Sequence, residues 1–174
     1  MADLPGELSA RRNRDLAGRA RYPWYRRGLL ALIAVLPLLA LLNVFGQKPT
    51  TSHASGPAAT LTVDAPERLR SGLIYQARFE VKALRDVHQA QLVLDRGWWD
   101  GMSVNSIEPN PSNESTQNGA VALSFGSLAR GETLVAWIYY QTNPTNVGRR
   151  SQNAEVDDGT TVLARVSRKV TVYP

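Results

Sequence analysis

Residues Tyr75 to Lys82 read YQARFEVK. Tyr75, Ala77, Phe79 and Val81 alternate with Gln76, Arg78, Glu80 and Lys82. A period of two puts the four apolar side chains on one side of an extended chain, so the stretch is a strand with one dry and one wet face. The same period recurs on either side. Leu61, Val63 and Ala65 alternate with Thr60, Thr62 and Asp64 before it. Ala90, Leu92 and Leu94 form the inner face of a third strand, and Val121, Leu123 and Phe125 that of another. Leu134–Tyr140 is apolar on both parities, as a central or doubly covered strand is. The closing run Thr161–Tyr173 puts Val162, Ala164, Val166, Val170 and Val172 on one parity. Arg168 interrupts that face, which predicts a bulge or the end of sheet coverage there.

Turn signals separate these runs: Arg70-Ser71-Gly72, Arg96-Gly97, Asp100-Gly101, Asn118-Gly119, Arg130-Gly131 and Asp158-Gly159. The last of them, between alternating segments, is a hairpin candidate. Glu108–Gln117 (EPNPSNESTQ) reads as a surface loop. Seven to nine short strands in about 115 residues, without a helix among them, predict an antiparallel β-sandwich, with a small barrel as the competing architecture. The chain has no cysteine, and a domain of this length can bury a sufficient core without disulfides.

Ahead of the β region the pattern changes. Gly28 to Phe45 reads GLLALIAVLPLLALLNVF, with no charge and with apolar residues all round. As a helix it is about 27 Å long, near the thickness of the hydrocarbon core of a bilayer. Pro37 lies within it and predicts a kink. Tyr22, Trp24, Tyr25, Arg26 and Arg27 precede it as candidates for the membrane–water interface. Arg11, Arg12, Arg14, Arg19, Arg21, Arg26 and Arg27 lie before the run, and Lys48 alone follows it closely. That asymmetry predicts a cytoplasmic N-terminus and an extracytoplasmic C-terminal part. Ser52-His53-Ala54 fits a cleavage site, and Arg26-Arg27 bears some likeness to a twin-arginine export signal. The length of the apolar run and the distance of the site past Phe45 favour an uncleaved signal anchor over cleavage, and the residues flanking Arg26-Arg27 match the export pattern poorly. The expected organisation is a cytoplasmic arginine-rich tail at 1–27 and a transmembrane helix at 28–45. A flexible linker at 46–59 and an exported β-sandwich at 60–174 follow.

Leu94-Asp95, Gly101-Met102 and the run from Phe125 to Thr133 (FGSLARGET) carry a family resemblance. With Gln152–Val156, Asp158-Gly159 and the closing Val170–Pro174, the stretch resembles DUF11-like and CARDB-like modules. These are immunoglobulin-like β-sandwich domains of prokaryotic surface proteins. The resemblance covers residues 60–174 and implies a structural or binding role with no catalytic residues to transfer. The pair Trp98-Trp99 departs from the family pattern, and the module here is single rather than tandem.

The inventory of reactive side chains is thin. His53, within the linker, and His88 are the two histidines, and the parity His88 shares with Ala90 and Leu92 predicts a strand-end or partly buried side chain. A cysteine nucleophile and a thiolate metal site are excluded, and a histidine cage or catalytic triad nearly so. Glu155, Asp157 and Asp158 cluster at a turn, yet no calcium-loop pattern is present and no spacing selects a glycosidase pair. No catalytic, cofactor-binding or metal-binding residue is therefore assigned, and no cofactor is expected. The net charge of +5 belongs mainly to the arginine tail, because residues 46–174 are nearly balanced, which argues against nucleic acid as a partner. Aromatic residues stand out instead. Trp98, Trp99, Trp137 and Tyr139 are the candidate partner-binding residues, since aromatics dominate binding hot spots. Alternation along a strand would put one ring of Trp98-Trp99 in the core and leave the other exposed, and the alternative is that both pack, one in the core and one under a loop. The sequence thus predicts a membrane-anchored, non-enzymatic interaction or structural module whose partners are the bilayer and another membrane or envelope protein. The alternative is an accessory subunit of a membrane enzyme or transporter complex, packing through its helix with Asn43 toward a neighbour.

Overall fold

The computed structural model describes residues 22–42, 44 and 47–174. Two compact units result, divided between Leu42 and Asn43. In the first, helix α1 spans Tyr22–Leu41. It begins earlier than the expected 28–45, and Pro23 fits in its first turn, where a missing N–H leaves nothing unpaired; it ends at Leu41. The residues 24–27 expected ahead of the helix are wound into it. Its window Pro23–Leu41, 19 residues of mean hydropathy 1.5, is long and apolar enough to cross a membrane, and none of it is buried. Asn43, Phe45 and the arginine tail before Tyr22 lie outside the described residues.

The second unit is a mainly antiparallel β-sandwich. Its strands are β1 (Pro49–Ser55), β2 (Ala59–Pro66), β3 (Arg68–Arg70), β4 (Ile74–Ala83), β5 (Val87–Leu94), β6 (Met102–Glu108) and β7 (Asn113–Gln117). They continue with β8 (Ala120–Leu128), β9 (Thr133–Thr142), β10 (Gly148–Ser151), β11 (Ala154–Asp158), β12 (Thr161–Val166) and β13 (Lys169–Tyr173). The first five-stranded sheet has the order β1-β2-β4-β9-β6 and the second β12-β11-β5-β8-β7. A three-stranded sheet, β10-β13-β3, adjoins them, and its β13–β3 pair is parallel. The inner faces bury Leu61, Val63, Ala77, Phe79, Val81, Leu92, Leu94, Leu123 and Ile138 in one core, on the parities that the alternation predicts.

Four expectations need correction. The tether expected at 46–59 contains β1, which pairs with β2 from Pro49↔Pro66 to Ser55↔Thr60. An edge strand needs only one backbone partner, so its polar side chains carry no signal, and Pro49 at its start gives up no ladder bond. The loop expected at Glu108–Gln117 is mostly strand for the same reason. β7 is a polar edge strand joined to β8 through Asn118-Gly119, whose φ values of 52° and 80° make the two-residue turn. Third, His88 sits at the strand end, one of its two expected placements, and does not follow Ala90 and Leu92 inward. The register of β5 shifts between Val87 and Ala90, so Val87 is buried and the His88 side chain is 89% exposed. Fourth, Thr161–Tyr173 is two strands, and Val162 at the hairpin end is 49% exposed rather than buried. The chain leaves the second sheet at Val166 and enters the small sheet at Lys169. Arg168 marks the crossing, so the interrupted face is the end of one sheet's coverage.

Trp98 occupies the centre of this arrangement. It lies in a short 3-10 turn, Arg96–Trp98, capped by Asp95, whose carboxylate accepts from Gly97 N at 3.1 Å. The indole is 0% exposed and donates from Nε1 to Asn153 O at 3.0 Å. Phe79 meets it edge-on at 5.1 Å and Tyr140 lies at 5.7 Å. Gly97 touches the backbone of β10 so closely that an added Cβ would lie 1.5 Å from Ser151 O. We expect Trp98→Ala to cost about 3–5 kcal/mol, from lost apolar burial and the cavity left behind. Gly97→Ala should cost about 2–3 kcal/mol, because two backbones must part. Denaturation of the detergent-solubilised full chain, followed by tryptophan fluorescence, measures both. A loss below about 1 kcal/mol in either variant would contradict the central placement of the turn.

Candidate functional site

Strand β9 sorts its aromatics by parity. Ala136, Ile138 and Tyr140 are buried, while Val135, Trp137 and Tyr139 point outward and are half-buried. The partner strands supply their neighbours. Trp137 lies between Arg78 of β4 and Glu108 of β6, and Tyr139 between Gln76 and Ser106. Facing residues on adjacent strands touch, so the two rings sit in a polar frame on an open sheet face.

Arg78 organises that frame. Its guanidinium lies 5.5 Å from the centroid of the Trp137 ring. It pairs with Glu80, and with Asp64 Oδ2 at 3.1 Å. Asp64 in turn accepts from Thr51 Oγ1 at 2.6 Å, which extends the network to β1. The hydrogen bond to Glu80, and then that to Asp64, hold Arg78 above the ordinary arginine range. The cation is therefore fixed over the indole face, where the ring quadrupole attracts it. Sequence reasoning does not single out Arg78, because it looks like any wet-face residue of an alternating strand. The signal is its register opposite Trp137, which strand pairing alone reveals.

Of the four aromatic candidates, Trp137 and Tyr139 share this face. Trp98 cannot bind a partner, since it is wholly buried with Arg168 packed 5.5 Å over its ring. The reason is the 3-10 turn, which directs the indole into the core instead of alternating the pair as a strand would. Trp99 is half-buried, packs edge-on to Tyr140 at 6.2 Å and donates to Leu94 O at 3.4 Å. It belongs to the core margin, away from the Trp137 face. Among the interface candidates on helix α1, Trp24 and Tyr25 are 71% and 72% exposed, and Arg27 lies 5.6 Å from the Trp24 ring. Arg26 is exposed, and Tyr22 starts the helix. Length and composition fit a membrane anchor, and they fit a signal sequence near the N-terminus equally well.

Interior polar groups serve packing. Tyr75 and Tyr140 stack at 5.2 Å, and burial pushes both phenols well above the usual tyrosine range. Arg168 donates from Nη2 to Ala65 O at 2.7 Å, and burial draws it below the usual arginine range. The acidic turn is structural too. Asp158 Oδ1 accepts from Gln89 N at 2.8 Å and His88 N at 3.1 Å, closing the bulge of β5. Those backbone donors, Gln89 first, pull its carboxyl below the usual range. Next to it, burial and then the Glu155 charge push Asp157 up, with Arg165 opposing. No group of three or more His, Asp or Glu residues that could hold a metal occurs among the described residues.

No family model matches the chain, and no curated protein does. Among solved structures it is similar to the solution structure of CaCohA2 from Clostridium acetobutylicum. The TM-score is 0.44 at 12% sequence identity, over 67% of this chain and 92% of that one.

The adjacent carboxylates should answer acid in opposite ways. Asp158, with its depressed pKa, contributes stability above the unfolded carboxylate pKa and loses it as pH falls through the folded value. Asp157, with its raised pKa, is a penalty at neutral pH that is relieved as pH falls through its folded value. At pH 7 we expect Asp157→Asn to raise the denaturation midpoint and Asp158→Asn to lower it. Both differences should shrink in strong acid. Midpoints recorded for each variant across the carboxylate range decide this, and shifts of the same sign at pH 7 would refute it.

Proposed function

We propose that the chain is a membrane-anchored, non-enzymatic module that binds a membrane or envelope protein outside the cytoplasm. Helix α1 is the anchor, with Trp24, Tyr25, Arg26 and Arg27 at one headgroup level. The arginine-rich tail stays cytoplasmic and the sandwich is extracytoplasmic. The observation that carries the binding role is the outward pair Trp137 and Tyr139, framed by Arg78 and Glu108. Within the monomer Trp137 and Tyr139 have cross-strand neighbours and the Arg78 cation, yet both rings keep an exposed surface. A partner that covers them gains apolar burial plus ready-made polar contacts at the rim. Rigidity adds to this, since the rings stand on a central strand and Arg78 is already held in place. The resemblance to surface-protein modules read from the sequence favours a structural or binding role.

Chemistry at the face can be read by photocrosslinking in native membranes. A photoreactive residue replacing Tyr139 should give a discrete adduct with a membrane or envelope protein. The same residue replacing Glu114, on β7 of the other sheet, should give none. Trp137→Ala should reduce the Tyr139 adduct at least tenfold without changing the amount of folded protein. Adducts from Leu36 of α1 with none from Tyr139 would instead favour the accessory-subunit reading, in which the helix makes the contact.

A further inference from the structure

The near-neutral domain hides a strong segregation of charge. The small sheet, β3, β10 and β13, carries Arg68, Arg70, Arg149, Arg150 and Lys169 and no acidic residue. The second sheet carries Glu114, Glu155, Asp157 and Asp158 against Arg165 alone. Register shows which of the basic side chains point outward. Val170, Val172 and Leu69 are buried, so the opposite parity faces out. Arg149, Thr171 and Arg68 form one row across the three strands, Tyr173 and Arg70 pair in the next, and Ser151 and Lys169 in the one before. Arg150 pairs with Val170 and turns inward, donating to Asp100 O at 2.5 Å. Arg68, Arg70, Arg149 and Lys169 are exposed, and among the described residues none of them makes an ion pair. Strands about 4.8 Å apart and a rise of about 3.3 Å per residue confine all four cations to a patch on the order of 15 Å across. Glu67 lies beside Lys169, and Asp100 near Arg149 is already within 3.4 Å of Arg96. The patch therefore stays strongly positive.

Its place along the chain says what it meets. Arg68 donates from Nη1 to Val44 O at 3.2 Å. Leu42 N bonds to Leu38 O in the last turn of α1, and Asn43 alone separates Leu42 from Val44. Two residues of chain reach at most about 7 Å, so the Arg68 guanidinium stays within roughly 10 Å of the helix end whatever the angle between the units. A spanning helix ends where hydrocarbon meets headgroups, and the polar zone beyond is of order 5–8 Å deep. The screening length in physiological salt is also about 8 Å. Resting on the anchor reading above, we infer that the outer face of the small sheet docks on the anionic phospholipid headgroups of the leaflet where the helix emerges. Lipid phosphates would occupy the spaces between the Arg68, Arg70, Arg149 and Lys169 side chains. This contact fixes how the domain stands on the membrane, so that the Trp137 face is presented in a defined direction.

The test uses the full chain, which has no cysteine to interfere with labelling. Thr171→Cys, in the central row, takes a spin label. Its accessibility to a water-soluble relaxant is compared in nanodiscs of phosphatidylcholine with and without phosphatidylglycerol. We expect protection of several-fold only with phosphatidylglycerol, reversed by high salt. Combining Arg68→Gln, Arg70→Gln, Arg149→Gln and Lys169→Gln should abolish it, since each basic residue near an anionic surface is worth about fivefold in partition. Arg165→Gln, on the other sheet, should leave it unchanged, and an unaltered melting curve checks the fold of each variant. Release from vesicles by alkaline carbonate would overturn the anchor, and this inference with it. Retention with equal accessibility in both lipids would overturn the inference alone. Protection by an added acidic polypeptide, with none from phosphatidylglycerol, would overturn it in favour of an acidic protein segment.

Discussion

The buried indole of Trp98 is the contact on which most of the domain depends. It fills the space where β4, β9, the 3-10 turn and the crossing from β12 to β13 converge. A side chain of this size buries 150–250 Å² and is worth several kcal/mol, a large fraction of the net stability of a small domain. Its one polar atom is satisfied by Asn153 O, so the burial carries no unpaired-donor penalty. The same residue steers the end of the chain. Arg168 packs over the Trp98 ring while Asn153 Oδ1 accepts from Arg168 N at 3.2 Å. Asn153 thus binds the indole with its carbonyl and the crossing backbone with its side chain. Moving Trp98 would loosen both five-stranded sheets and release the small one.

Arg78 performs an analogous task on the surface with weaker forces. Half-exposed ion pairs contribute little to stability, typically below about 1 kcal/mol each. Their effect here is positional. Asp64 and Glu80 stop the long side chain from roaming, and that retains the cation against Trp137. A face ordered before binding loses less side-chain entropy when a partner arrives, so a modest contact area yields more affinity. The two ring systems therefore differ in kind. Trp98 with Tyr75 and Tyr140 stabilises the fold from inside, and Trp137 with Tyr139 stands on its outside, against Arg78.

Legibility in the sequence followed the strength of the burial pattern. Strands β2 and β4 have one dry face each, and Leu61 to Ala65 and Tyr75 to Val81 fall inward as their alternation predicts. The apolar helix was equally plain, apart from its ends. Strands β1 and β7 were not legible, because an edge strand is held by its backbone ladder and imposes no period on its side chains. Of the two readings of the Trp98-Trp99 doublet, packing describes it and partner binding does not. Neighbours on a strand face opposite ways, but a 3-10 turn intervenes, so one ring enters the core and the other lies along its margin. Trp137 and Tyr139 were legible as a pair on one face, while Arg78 was not. Its role depends on a residue distant in sequence, and only the pairing of β4 with β9 brings the two together.

Arg168 shows how one awkward residue in the sequence generates a surface. A charged side chain at an inward position cannot continue the second sheet without leaving a cation in its apolar core. Instead the strand stops at Val166, and Arg168 folds back over Trp98 and bonds Ala65 O. The chain then resumes as β13, beside β3 and β10 rather than beside β11. Because the new strand begins one residue past the arginine, Lys169 and Thr171 take the outward parity and Val170 and Val172 the inward one. Parallel pairing with β3 sets Arg68 and Arg70 on the same outward side, and antiparallel pairing with β10 adds Arg149. The basic face thus follows from the change of sheet at Arg168, whose own guanidinium is buried over Trp98.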